Sequence, residues 1–176
     1  MASFFVGITL PEDFTQEVEI WRRRFFAPKT APHITLIPPF DWPASHDDLA
    51  RNIGDSLKGL TPFPVTIKGL GRFGSAVIFI SVAPSPGILR LHEKIQTGLA
   101  GAGIENRAKG RAYHPHITLA TRLSVGQFNQ YTEELVGYLP ESEFICHQVA
   151  LFRLETQARI RRWQVWRQLP LSQVSH

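Results

Sequence analysis

One five-residue string, Pro-His-Ile-Thr-Leu, occurs twice, at 32–36 and at 115–119. On a strand, side chains alternate between faces, so His33 and Thr35 share one face while Ile34 and Leu36 turn to a core. His116 and Thr118 stand in the same relation to Ile117 and Leu119. Two imidazoles and two hydroxyls around one cleft suit phosphate-ester transfer. A neutral imidazole takes a proton from water or a hydroxyl, and a protonated one gives a proton to the leaving oxygen. Each hydroxyl can donate to a nonbridging phosphoryl oxygen. No metal is needed for any of these roles. A single His-x-Thr is usually an accident of a half-exposed strand; two copies gain weight only if their surroundings are duplicated too.

The surroundings are duplicated. An apolar strand at 4–10 ends at Pro11, and a helix follows to about Phe26, with Asp13 or Thr15 as its cap and Phe14, Val18, Trp21 and Phe25 at helical spacing. Arg22, Arg23 and Arg24 read as a solvated face of that helix. The first motif strand spans 33–37 and is expected to close at Pro38 and Pro39. Ser45 and Asp48 make a capping box for a helix to about Leu57, with Gly59 as its stop. Strands are expected at 63–70 and 76–82 around a turn at 71–75 that holds Gly71 and Gly74, then a helix opened by Ser85 and Pro86. After a strand blurred by charge between 104 and 112, the order repeats. The second motif strand leads to a helix from about Ser124, then to long strands at 143–155 and 162–169. The expected fold class is α+β: two pseudo-symmetric lobes of antiparallel sheet with outer helices, flanking a central cleft, in one domain over 1–176.

The chain has 176 residues, 43% hydrophobic and 19% charged, enough for a sizeable core and too apolar for wholesale disorder. No apolar run is long enough for a membrane span, and no basic segment precedes the N-terminal apolar run, so a secretory signal is not expected. The cytoplasm is the expected location. Cys146, the one cysteine, excludes an internal disulfide and any multi-cysteine zinc site. It reads as inward-packed, and His147 as facing the other way, which disfavours a thiol–histidine nucleophile. The formal charge is +4, and arginines outnumber lysines fourteen to five. The arginine fork suits phosphate oxygens. A zinc site would have to gather His33, His114 and His116, but no carboxylate or further cysteine is placed to join them. Gly69, Gly71 and Gly74 lack the lysine-serine or lysine-threonine of a phosphate loop and read as hairpin residues.

With these motifs the chain resembles the 2H phosphoesterase superfamily, and within it the RNA 2′,3′-cyclic phosphodiesterases historically called 2′-5′ RNA ligases. The resemblance runs from Phe5-Val6-Gly7-Ile8-Thr9-Leu10-Pro11 through both motifs to Val149-Ala150-Leu151-Phe152-Arg153-Leu154 and the closing Trp166-Arg167-Gln168-Leu169-Pro170-Leu171. Three departures stand out. Ile37-Pro38-Pro39-Phe40 replaces a Phe-Leu-Gly segment and is closer to a less characterised bacterial branch. Ala120-Thr121-Arg122 moves an arginine along by one. Leu154 stands where a serine is common.

The resemblance implies metal-independent hydrolysis of a 2′,3′-cyclic phosphate at an RNA or oligonucleotide 3′ end, leaving a 2′-phosphate. It implies His33 as general acid and His116 as general base; the residues themselves leave the two interchangeable. Arg111, Tyr113, Arg122 and Phe40 are the substrate-binding candidates, the arginines for phosphate and the aromatics for base stacking. His114 is a neighbour of the second motif, and the run from Arg159 to Arg162 is a hairpin tip that could meet an RNA backbone. No cofactor, metal, membrane or obligate protein partner is expected, and a monomer carries both halves of the site. Two other readings stay open: a phosphodiesterase for 2′-5′ oligonucleotides or a small cyclic nucleotide, and a phosphate-end binding module without turnover.

Overall fold

A computed structural model describes residues 1–105, 108 and 110–172. In chain order the elements are β1 (Ala2–Thr9), α1 (Glu12–Arg24), β2 (His33–Trp42), α2 (His46–Ser56), β3 (Phe63–Phe73), β4 (Val77–Val82) and α3 (Pro86–Gly101). They continue with β5 (His116–Ala120), α4 (Val125–Glu134), β6 (Glu141–Cys146), β7 (Gln148–Gln157) and β8 (Ile160–Pro170). Two four-stranded antiparallel sheets form, in the orders β2-β1-β7-β8 and β5-β4-β3-β6. The orders are counterparts: each motif strand is an edge, and each is reached from its inner neighbour through one helix, α1 or α3. The fold is therefore α+β with two pseudo-symmetric sheets and outer helices.

Edge position explains the largest departure from local expectation. Pro38 and Pro39 do not end β2, which runs on to Trp42. A proline lacks a ladder donor, but an edge strand leaves half its groups unpaired and a bulge frees more. The β1–β2 register slips at this point, from Phe4 opposite Phe40 to Val6 opposite Ile37. The long strand expected at 143–155 is instead two strands. Its first part pairs with β3 in one sheet, and its second with β1 and β8 in the other, the chain changing sheets at His147.

Other elements sit close to expectation. Ser45 caps α2 by accepting from the Asp48 amide at 3.1 Å. Ser124 and Gln127 close a full capping box on α4. α1 begins behind Pro11 rather than under an Asp13 or Thr15 cap. The β3–β4 turn is tighter than expected, since β3 reaches Phe73 and only Gly74, at φ +55°, needs left-handed backbone there. Of the segment from 104 to 112, the described residues are not strand; 106, 107 and 109 lie outside the described residues.

One apolar cluster runs through both sheets and all four helices, and a smaller one of Phe5, Ala150 and Phe152, with Trp163 against it, lies on the other face of the first sheet. The helices cross over. α1 packs on β5 and α3 on β2, while β2 and β5 lie against each other. Both motif strands are thereby held at the seam between the sheets. No helix among the described residues is long and apolar enough to cross a membrane.

Candidate active site

The period-two alternation of the motif strands is realised identically in both copies. Ile34, Leu36, Ile117 and Leu119 are at most 1% exposed, and His33, Thr35, His116 and Thr118 are half-buried between them. Each histidine is then fixed by its own backbone. His33 Nδ1 lies 2.7 Å from the Ala31 carbonyl, and His116 Nδ1 lies 2.7 Å from the His114 carbonyl. A carbonyl only accepts, so Nδ1 carries the proton in both rings. Nε2 is left as the atom that gains or gives a proton.

Beneath each imidazole are two phenylalanines from adjacent strands. His33 rests on Phe5 and Phe152, at ring-centre distances of 4.8 and 5.2 Å, and those two rings stack at 4.2 Å. His116 rests on Phe73 and Phe79, at 4.9 and 5.1 Å, with those two rings 4.4 Å apart. A missing side chain makes room for each bed. A Cβ on Gly7 would stand 2.9 Å from the Ile34 carbonyl oxygen and 3.3 Å from the Phe152 ring. One on Gly71 would stand 2.4 Å from the Phe79 ring. Gly71 is thus a strand residue that clears space under His116, and not a turn residue of the hairpin.

Three side chains tie the motif strands to the facing lobe. Tyr113 Oη donates to the Thr35 carbonyl at 2.8 Å, and His92 Nδ1 lies 2.9 Å from the Leu36 carbonyl. In return, Arg22 Nη1 donates to the Thr118 carbonyl at 2.7 Å. Its Nη2 donates to the Pro28 and Thr30 carbonyls at 2.8 and 2.9 Å. Edge strands offer free carbonyls, and these donors take them. Arg22 is only 5% exposed, which overturns its reading as part of a solvated arginine face. The signal was present in the helix phase, since Phe14, Val18 and Arg22 recur every fourth residue and all three are buried. His92, stacked on Tyr113 at 4.0 Å, carried no such signal.

Burial holds both imidazoles toward the neutral form. His33 is pushed down to about 4, first by desolvation, with the Arg22 and His116 charges adding to it and the Ala31 bond opposing it. His116 is lowered as well, again mainly by burial, with its bond to the His114 carbonyl opposing. The effect of the His116 charge on His33 places the two rings within electrostatic reach. Burial also raises the Tyr113 phenol well above its ordinary value, which keeps it a donor.

The remaining candidates divide. A cavity of about 510 Å³ opens beside Thr35 and His116, walled by Phe40, Phe73 and Tyr113, with Arg111 and Glu105 also in its lining. Arg111 is exposed there. Phe40, 4% exposed, is a core residue whose surface forms part of a wall rather than a free stacking platform. Tyr113 is likewise engaged, through its ring with His92 and through its hydroxyl with β2. Arg122 is not in this cavity. It lies in a separate groove with Lys29, Arg161 and Trp163. His114 is exposed, its ring edge-on to Phe73 and Phe79. Cys146 is 2% exposed, its thiol pushed up to about 11 by burial. Among the described residues no group of three or more His, Cys, Asp or Glu could hold a metal ion.

Two half-buried histidines with matched tautomers thus stand on two motif strands that lie against each other at the seam between the sheets. Comparison with known proteins gives the family. The chain belongs to the 2′-5′ RNA ligase superfamily, whose model matches residues 10–158. It is 30% identical over 127 residues to a provisionally named phosphoesterase of Bacillus licheniformis, an alignment covering 67% of this chain and 71% of that one. Among solved structures it is similar to a protein of Thermus thermophilus, with a TM-score of 0.72 at 20% identity, covering 99% of this chain and 100% of the other. It is similar also to Escherichia coli LigT complexed with 3′-AMP, with a TM-score of 0.70 at 20% identity, covering 98% and 99%. Family membership makes the activity phosphoesterase-type hydrolysis; at these identities the solved structures establish the shared fold.

Proposed function

We propose that this chain, acting as one domain and as a monomer, hydrolyses the 2′,3′-cyclic phosphate at RNA or oligonucleotide 3′ ends to a 2′-phosphate without a metal. The observation that carries the reading is the paired histidine geometry. Both Nδ1 atoms are committed to backbone carbonyls, so both Nε2 atoms serve the cleft, one as base and one as acid. Water gives a proton to Nε2 of the neutral ring as its oxygen bonds to phosphorus. The P–O3′ bond breaks, and O3′ takes the proton from Nε2 of the protonated ring. The Thr35 and Thr118 hydroxyls share the motif face and can donate to the nonbridging oxygens, where charge is held through the transition state.

The order implied by the family resemblance makes His33 the acid and His116 the base. In the free protein burial keeps His33 neutral, so this order requires the bound phosphate monoanion to supply the countercharge that raises it. Escherichia coli LigT has been crystallised with 3′-AMP, phosphate, NADP+ and ATP, ligands of the phosphate and nucleotide kind this reading requires. The largely apolar cavity beside His116 favours one second reading, in which the substrate is a small cyclic nucleotide whose base fills it.

The test is turnover, in EDTA, of a short RNA ending in 2′,3′-cyclic phosphate, beside His33→Ala and His116→Ala. Formation of 2′-phosphate that both variants lose supports the proposal. A folded wild type that leaves this RNA intact but cleaves a cyclic mononucleotide shifts the assignment to the second reading. Inactivity toward both overturns hydrolysis of cyclic phosphates and favours the binding module.

A further inference from the structure

The two sides of the histidine pair are unlike, despite the duplication. On the His116 side is the apolar cavity. On the His33 side, the face of the first sheet turned away from the main core carries a row of rings from β2 outward. Phe5 and Phe152 lie under His33, and the Trp163 ring is edge-on to Phe5 at 5.0 Å. Trp163 and Leu154 form the floor of a groove of about 440 Å³, bordered by Lys29, Arg122, Arg161 and Arg162. Arg161 and Trp163 are two residues apart on β8 and so share its face. Arg162 alternates to the other face, where Glu155 is its cross-strand neighbour, and only borders the groove.

Among the described residues no carboxylate lines this groove. Among the described residues Lys29, Arg122 and Arg161 make no ion pair, whereas six other cations of the chain do. Like charges gathered without counterions repel one another and persist at a cost that an anion would remove. Two backbone features hold Arg122 and Lys29 there. Arg122 adopts left-handed backbone at φ +56°, a conformation that non-glycine residues hold only where the surroundings enforce it. The segment bearing Lys29 is fixed on both flanks by Arg22, through Pro28 and Thr30, and the same guanidinium grips the Thr118 carbonyl. The groove is thus mechanically joined to the second motif strand and separated from His33 by a single aromatic ring.

We propose that Lys29, Arg122 and Arg161, with Trp163, form a second anion subsite that takes the phosphodiester next to the reacting phosphate. This rests on the reading of the site given above and narrows it: the preferred substrate is a strand end with at least one further phosphate, rather than a cyclic mononucleotide. The cationic side chains hold the diester, the indole offers a stacking face for the adjoining nucleoside, and the apolar cavity remains for the group on the other side of the reacting phosphorus.

The experiment compares kcat/KM for adenosine 2′,3′-cyclic phosphate and for the dinucleotide ApA ending in 2′,3′-cyclic phosphate. The proteins are the wild type, the double variant Lys29→Ala with Arg161→Ala, and Arg90→Ala, an exposed cation on α3 away from both cavities. Wild type and Arg90→Ala should favour the dinucleotide at least tenfold, and the double variant should lose that preference while keeping mononucleotide turnover. Equal use of both substrates by wild type, or equal losses on both in the double variant, overturns the subsite. If neither substrate is turned over, the functional reading fails separately, and fluorescence anisotropy of a labelled ribotrinucleotide 3′-phosphate decides the groove. A Kd raised tenfold or more in the double variant alone supports it, and an unchanged Kd refutes it.

Discussion

Burial of His33 ties the candidate acid–base site to the stability of the fold. The unfolded chain binds a proton on this ring around pH 6.5, whereas the folded chain, with the ring on Phe5 and Phe152, does so only near 4. Between those values the unfolded state holds more protons, so stability rises with pH. The His33 contribution is complete above about pH 6.5–7 and is lost as pH falls toward 4. At pH 5 the loss works out to about 2 kcal/mol, a factor of roughly thirty in the folding equilibrium. Urea unfolding of wild type and His33→Gln at pH 8 and pH 5 isolates it. Every other titrating group acts in both proteins, so the difference of differences reports this ring. Wild type should lose about 2 kcal/mol more than the variant on going to pH 5. Inorganic phosphate should shrink that gap, because a bound anion raises the ring's pKa. A gap below about 0.5 kcal/mol, or one of opposite sign, would refute the claim that the resting fold holds this histidine neutral.

Removing the Arg22 guanidinium in Arg22→Met leaves three carbonyls without their donor. Bonds from a charged donor contribute about 1.5–3 kcal/mol each, and relief of guanidinium burial offsets part of this, so a net loss of about 3 kcal/mol is expected in denaturant melts. A loss under 1 kcal/mol would show that the seam does not depend on it. Gly71→Ala must push the Phe79 ring from under His116, so stability should fall by about 1–3 kcal/mol and turnover of a cyclic phosphate should fall with it. Full activity in that variant would mean the bed does not hold the imidazole. Cys146, buried and with its thiol held near 11, should resist a thiol reagent at pH 7.5 in the native protein and react at once in urea.

Much of the candidate site is legible in the sequence. The alternation that aims His33 and Thr35 away from Ile34 and Leu36 is a property of extended backbone, so the repeated string carried it. The caps at Ser45 and Ser124 are equally local, a hydroxyl and an amide three residues apart. Arg22 was legible in principle from its phase with Phe14 and Val18, but its place in a run of three arginines pointed to solvent. The passage of β2 through Pro38 and Pro39 is not legible there, because proline's missing donor matters only where a neighbour needs it, and edge position is not written locally.

The sequence by itself determined which side chains share the outward face of each motif strand and which turn to the core. Tertiary structure alone decided what surrounds those faces. The change of sheets at His147, the paired phenylalanine beds, the cross-lobe donors to the Thr35 and Thr118 carbonyls and the contrast between an apolar and a cationic flank all join residues far apart in the chain. Such pairings depend on how two sheets pack as wholes, where the free carbonyls of one edge strand find donors only because the other lobe brings them. A local pattern can state that a histidine faces a cleft; its proton affinity is set by what folding stacks against it.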